Sequence, residues 1–183
     1  KRIVAAPPAG SCGVRPAVLL PLVEEREPET EVILQSLYIA AGFGQVAAAR
    51  ASVSGAQGGC QAEIGVASAM AAAALTHIMG GTGEQCAHAF AIALGNLLGL
   101  VCDPVAGLVE IPCVKRNVIG AVNAVSAANM ALAGITAHIP ADEVIDAMGE
   151  IGDALPSSLR ETGQGGLAAT PTGRRIAESL PQG

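Results

Sequence analysis

Five cysteines stand in a chain of 183 residues, and three of them share a local setting. Cys60 follows Gly58-Gly59, Cys102 precedes Asp103-Pro104, and Cys113 follows Pro112, so each thiol marks a junction between loop and helical pattern. The thiolate is the form that binds metals or attacks electrophiles, and a helix N-terminus favours it. Cys60 and Cys113 each open a helical pattern and are expected to gain from that field. Three readings are open to such a set. Thiolates can hold an iron–sulfur cluster, or a structural zinc with a fourth ligand from His77, His88 or His138. One of them can serve as a nucleophile. The third reading is scattered structural cysteines. Spacing alone does not choose, because the ten residues between Cys102 and Cys113 match no zinc ribbon. Cys86, inside QCAHAF, reads as a small buried apolar residue.

A second feature is the turn Gly10-Ser11-Cys12-Gly13, just ahead of a helix that carries Pro16 in its first turn. Unpaired N–H groups at such a start suit an anion, and the plainer reading is an ordinary helix start.

The elements that must position these groups are helical. Hydrophobic residues make up 51% and charged ones 14%, enough for a sizeable core. The net charge of −6, the lack of a Lys/Arg cluster and the scarcity of aromatics (two Phe, one Tyr) exclude a nucleic-acid groove. Residues 118–137 carry no formal charge and have the length of a membrane span, yet Asn123, Ser126, Asn129 and Thr136 favour a buried helix, so no membrane partner is expected. The opening shows no signal peptide, and an odd cysteine number fits a reducing cytoplasm.

After an extended lead-in and the Gly10–Gly13 turn, helices are expected from Pro16, over 29–49 with Val32, Leu34, Leu37 and Ile39 inward, and over 62–79, 84–100, 114–137 and 140–149. A short final helix closes the chain. Gly42 and Gly44 are candidate breaks in the second helix. Segments 62–79, 84–100 and 114–137 should form the core, the last surrounded by the others. No period-2 pattern appears, so the class is all-α: a compact bundle of Ala/Gly-rich helices whose Gly/Pro-rich loops carry the cysteines, in a single domain over 1–183.

The strings IVAAPPAGSCGVRPAVLL, GGCQAEIGVASAMAAAAL, CDPVAGLVEIPCVKRN and LRETGQGGLAATPTGRRI, spread over essentially the whole chain, resemble the alpha chain of bacterial iron–sulfur-dependent L-serine dehydratases. The resemblance implies conversion of L-serine to pyruvate and ammonia, a step of amino-acid degradation that feeds gluconeogenesis, without pyridoxal phosphate. It implies an oxygen-sensitive [4Fe–4S] cluster held by Cys60, Cys102 and Cys113, acting as a Lewis acid on the serine hydroxyl. Gly10, Ser11, Cys12 and Gly13 then become candidates for the substrate carboxylate, with Asn117, Arg116 and Arg160 as further polar candidates. The base is sought among His77, His88 and His138 or on a separate beta chain. The family implies sequence ahead of IVAAPPAGS that is lacking here, and the ending RRIAESLPQG is that of two-subunit members rather than of single chains ending in cysteine. Lys115 stands where an acid is common in relatives. Assembly into a homo-oligomer is left open. Two alternatives remain: a cluster-dependent lyase on another β-substituted amino acid such as L-cysteine, and a non-enzymatic structural-zinc module.

Overall fold

The computed structural model describes residues 9–180, so the extended lead-in expected before the Gly10–Gly13 turn lies largely outside the described residues. Its helices are α1 (Val14–Arg26), α2 (Thr30–Arg50), the single turn α3 (Gly55–Gly58), α4 (Val66–Ile78), α5 (Gly83–Gly95), α6 (Cys113–Leu132), α7 (Ala141–Ala154) and α8 (Pro171–Ser179). Short 3-10 turns lie at Ala9–Ser11, Val105–Gly107, Ser157–Leu159 and Gly166–Ala169, and a π turn at Gln61–Gly65 runs directly into α4. No strand occurs among the described residues; one parallel backbone bridge joins Cys102 to Arg160. The class is all-α.

Local chemistry sets the boundaries. Thr82 and Gln85 form a reciprocal capping box at the start of α5, with Gln85 N–H donating to Thr82 Oγ1 at 3.2 Å and Thr82 N–H to Gln85 Oε1 at 2.9 Å. Pro171 opens α8 under a Thr170 cap, and Asp142 and Glu143 sit in the first turn of α7, where the helix dipole favours acids.

The centre of the fold is α4. Every residue from Val66 to Thr76 is buried, and the helix packs against α1, α2, α5 and α6. Alanine on all sides lets these neighbours approach closely. A Cβ added at Gly44 of α2 would lie 2.5 Å from Met70 Cε, and one at Gly120 of α6 would lie 3.0 Å from both Ile64 and Val14. Polar groups in this interior are paired: Ser68 Oγ donates to Gly120 O at 2.7 Å and accepts from Asn123 Nδ2 at 2.9 Å. Phe43 and Phe90 stack with centroids 4.8 Å apart.

Three expectations need correction. Gly42 and Gly44 do not break α2, which is continuous, because Gly44 is needed for contact with α4. The fully buried face of α2 is Ser36, Ala40, Gly44 and Ala47, with Ile39 and Phe43 packed partly buried beside it, while Leu34 and Leu37 are exposed; close approach to an Ala-rich helix selects small residues along the contact line. Finally, α6 ends at Leu132 and is not surrounded: Cys113, Gly120, Ala124, Ala127, Ala128 and Ala131 face the core, whereas Val118 and Val122 are more than 60% exposed. Among the described residues, α2 is by length and composition the helix long and apolar enough to cross a bilayer; in the fold it packs against α4.

Candidate metal centre

Cys60, Cys102 and Cys113 meet in one buried cluster with Ile64, edged by Leu97 and Leu100. Each thiol arrives on a different element. Cys60 follows Gly59, whose φ of +77° is open to glycine and where a Cβ would lie 2.9 Å from Leu100 O. Cys60 has helical backbone angles and opens the π turn 61–65; such wide turns recur at functional sites. Cys102 lies in the link between α5 and α6, and backbone bonds fix it: its N–H donates to Leu159 O at 2.9 Å, and its carbonyl accepts from Glu161 N–H at 2.7 Å. Cys113 is the first residue of α6.

Gln61 locks this arrangement from below. Its side chain is wholly buried; Nε2 donates to Gly58 O at 2.9 Å and Met148 O at 3.0 Å, and Oε1 accepts from Gly99 N–H at 2.8 Å. One amide therefore ties the turn before Cys60 to α7 and to the link after α5.

Charge around the thiols is organised by Arg116. Its Nη1 donates to Val101 O at 2.8 Å, lies 3.7 Å from Cys60 Sγ, and forms an ion pair with Asp103 Oδ1 at 2.8 Å that is off the line of an N–H hydrogen bond. Asp103 is 2% exposed, and its Oδ2 accepts from Leu167 N–H at 2.7 Å. Gly166, with φ of +57°, leaves the room that this carboxylate fills. The segment 157–169 is thereby strapped across Cys102 and Asp103.

The three thiols titrate unequally. Hydrogen bonds from Cys102 and Cys60, aided by the Arg116 charge, pull Cys113 down to about 3. Cys102 is pushed up by its bond to Cys113, by its bond to Cys60 and by burial. At Cys60 the bond from Cys102 acts downward, but the bond to Cys113, burial and the Cys113 charge prevail and push it up to about 12. The expectation that a helix start favours thiolate at both Cys60 and Cys113 thus fails at Cys60. With Cys113 anionic, a second negative charge in the same buried space is opposed.

Glu63 completes the group. Its carboxylate, the Cys60 thiol and the Cys102 thiol lie within 4.8 Å of one another. Burial pushes the carboxyl up, while a hydrogen bond from Gly10 N–H acts downward. The turn expected to receive an anion thus already faces one, from the chain itself. Ser11, also buried, donates to Glu63 O at 3.0 Å. Asn117 Nδ2 donates to Gly10 O at 3.1 Å and Cys113 O at 3.0 Å, while its buried Oδ1 accepts no hydrogen bond and lies 3.1 Å from where a Cβ of Gly13 would stand. Gly10, Ser11, Gly13 and Asn117 therefore adjoin the thiol cluster, whereas Cys12 is exposed.

Other candidates lie elsewhere. His77, at the end of α4 remote from Cys60, is 3.2 Å from Gln35 Oε1, and His88 Nδ1 accepts from Ala137 N–H at 3.4 Å. His138 sits in the link before α7 with φ of +59°. Arg160 lines a cavity of about 620 Å³ with Arg50, Asp146, Glu150 and Asp153, and its backbone bridges to Cys102. Cys86 is buried within α5. Glu63 and Gln61 were missed in the sequence, where their three-residue and one-residue offsets from Cys60 were the available signal; Asp103 stood out only as the residue after Cys102.

The donor set fits a thiophilic centre: three converging thiols, a guanidinium to offset their anionic charge, and a carboxylate at the rim. The sequence pattern of the family described as "Serine dehydratase alpha chain" matches residues 1–168. This chain belongs to that family. It is 61% identical over 178 residues to the probable L-serine dehydratase alpha chain of Bacillus subtilis, covering 97% of this chain and 59% of the relative. The probable L-serine dehydratase alpha chain of Latilactobacillus sakei is 59% identical, with 93% of this chain and 82% of the relative covered. The L-serine dehydratase alpha chain of Peptoniphilus asaccharolyticus is 51% identical, with 96% and 60% covered. The chain thus spans about three-fifths of the length of the first and third of these relatives.

Proposed function

We propose that this chain is the cluster-bearing helical part of an L-serine dehydratase, which removes water and then ammonia from L-serine to leave pyruvate. The observation that carries this reading is the convergence of Cys60, Cys102 and Cys113 from three separate elements into one buried cluster. These thiols would hold a [4Fe–4S] cluster, which when bound supplies a Lewis acid for the serine hydroxyl.

The chain's own groups have distinct tasks in this reading. Arg116 offsets the negative charge gathered by the thiolates and is itself held by Asp103. The turn Gly10–Gly13 lies against Glu63 and Asn117, and that position supports its backbone N–H groups as the place for the substrate carboxylate. Asn117 braces that turn through Gly10 O and keeps one acceptor free near Gly13. Loss of the α-proton and the hydroxyl gives an enamine, whose imine tautomer takes up water and releases ammonia. None of the three histidines adjoins Cys60, Cys102 or Cys113 through a described contact, so the base is assigned to the beta chain that an alpha chain implies, acting in the cytoplasm.

The test is anaerobic reconstitution with iron and sulfide, followed by mixing with the beta chain. Cys60→Ser, Cys102→Ser and Cys113→Ser should each abolish both the visible absorption and pyruvate formation, since serine is a harder and far less acidic ligand. Retention of the chromophore in any of the three would overturn the ligand set, and zinc without labile sulfide in the purified chain would overturn the activity.

A further inference from the structure

Glu63 is not needed for any of the tasks above, yet its carboxylate stands at the thiols. The Cys60 and Cys102 sulfurs and a Glu63 oxygen lie within 4.8 Å of one another, with both cysteines buried. The space they occupy is kept by glycine. A Cβ at Gly55 would lie 3.0 Å from Cys102 Sγ and 3.2 Å from Glu63 Oε2, and a Cβ at Gly10 would collide with Glu63 Oε1. Two backbone segments thus give up side chains where the carboxylate meets the thiols. The residue is also aimed by its surroundings: it lies on the π turn, and Ser11 holds its carbonyl.

We propose that Glu63 is an exchangeable oxygen ligand of the centre held by Cys60, Cys102 and Cys113. This rests on the reading that those thiols bind metal. Three thiolates leave a coordination position without a protein sulfur, and a site that must admit substrate needs an occupant that leaves readily. A hard carboxylate oxygen among soft thiolates suits that role. The fold also leaves room to which it can withdraw, because Gly10 lacks the side chain that would collide with Glu63 Oε1 at the edge of the site. Glu63 then caps the centre at rest and gives way when substrate binds.

Cobalt(II) titration of the full-length, metal-free chain under anaerobic, reducing conditions tests this with no need of activity. Sulfur-to-cobalt charge transfer counts thiolates, and the visible ligand-field bands report the fourth ligand. Wild type is expected to bind cobalt with both signatures. Glu63→Gln should keep the charge-transfer intensity, shift the ligand-field bands and weaken binding by about tenfold or more, since even outer partners of metal ligands carry that much affinity. Glu63→Asp keeps the charge but shortens the reach, and should behave like Glu63→Gln; it carries the test if the glutamine variant does not fold. Wild-type bands and affinity in both variants would overturn the role of Glu63 while leaving the thiol ligands in place. Failure of wild type itself to bind cobalt would overturn both readings.

Discussion

Gln61 offers the sharpest test of how the thiol site is held. Its amide makes three hydrogen bonds in a fully buried setting, to Gly58 O, Met148 O and Gly99 N–H. At about 1 kcal/mol net each, with a further penalty for backbone groups left unpaired, Gln61→Leu should cost roughly 3–5 kcal/mol. That is a large part of the roughly 5–15 kcal/mol that stabilises a domain. Gln61→Glu is more discriminating. One carboxylate oxygen can still accept from Gly99 N–H, but the other must face two carbonyl oxygens that sit 2.9 and 3.0 Å from the present Nε2. The folded state therefore holds this carboxyl protonated, with its pKa above the roughly 4.3 of an unfolded glutamate. A group raised on folding contributes stability below the unfolded value and loses it as pH climbs toward the folded one. The gap between Gln61→Glu and wild type should widen by up to about 1.4 kcal/mol per pH unit above roughly pH 4.3. Urea unfolding of the metal-free chain at several pH values under reductant reads this directly. A gap that stays constant with pH, or a Gln61→Leu loss below about 1 kcal/mol, would refute the bonding scheme.

Three further outcomes follow from the same structure. Asp103→Ala removes the partner of a buried guanidinium and the acceptor of Leu167 N–H, and should lower unfolding free energy by about 3–5 kcal/mol in the same assay. Gly152→Ala places a Cβ 2.9 Å from Gly58 Cα, which is backbone and cannot turn away; about 1–3 kcal/mol should be lost, with looser metal binding because Gly58 leads to Cys60. Cys86→Ser puts a hydroxyl inside the core at a cost of about 1–3 kcal/mol and should leave iron and sulfide content unchanged.

Much of the helical order was legible because Gly and Pro punctuate it, as Gly80-Gly81 do before α5 and Pro112 before α6. The inward faces were less so. In α2 the large residues carry the periodic signal, but the fully buried positions are Ser36, Ala40, Gly44 and Ala47, so the apolar pattern misplaced Leu34 and Leu37 while Ile39 does pack on the core. The uncharged stretch of α6 looked like an interior helix, whereas the interior helix is α4, whose alanines give no directional pattern at all. At the site, the cysteines were visible by type and setting. Arg116 and Asn117 were visible only as nearby polar residues, and Glu63 was not, since its importance depends on contacts with Gly10, Gly55 and Cys102 that are distant in sequence.

The π turn between Cys60 and α4 has a consequence for how the family can vary. Since α4 is buried on every side from Val66 to Thr76, it cannot rotate to re-aim whatever precedes it without repacking four neighbouring helices. The wide turn at 61–65 absorbs one residue more than an α turn would, and so sets the angular offset of Cys60 independently of α4. Deleting a single residue there would let the backbone close as ordinary α-helix, leave the register of α4 and the direction of Cys60 intact, and change which side chains of the turn face the thiols. Between Cys60 and Val66 the length of the chain is therefore constrained more tightly than the apolar identities it carries. Point substitutions in α4 can drift with the core, while a one-residue gap in this turn would re-aim Gln61 and Glu63 and leave Cys60 where it stands.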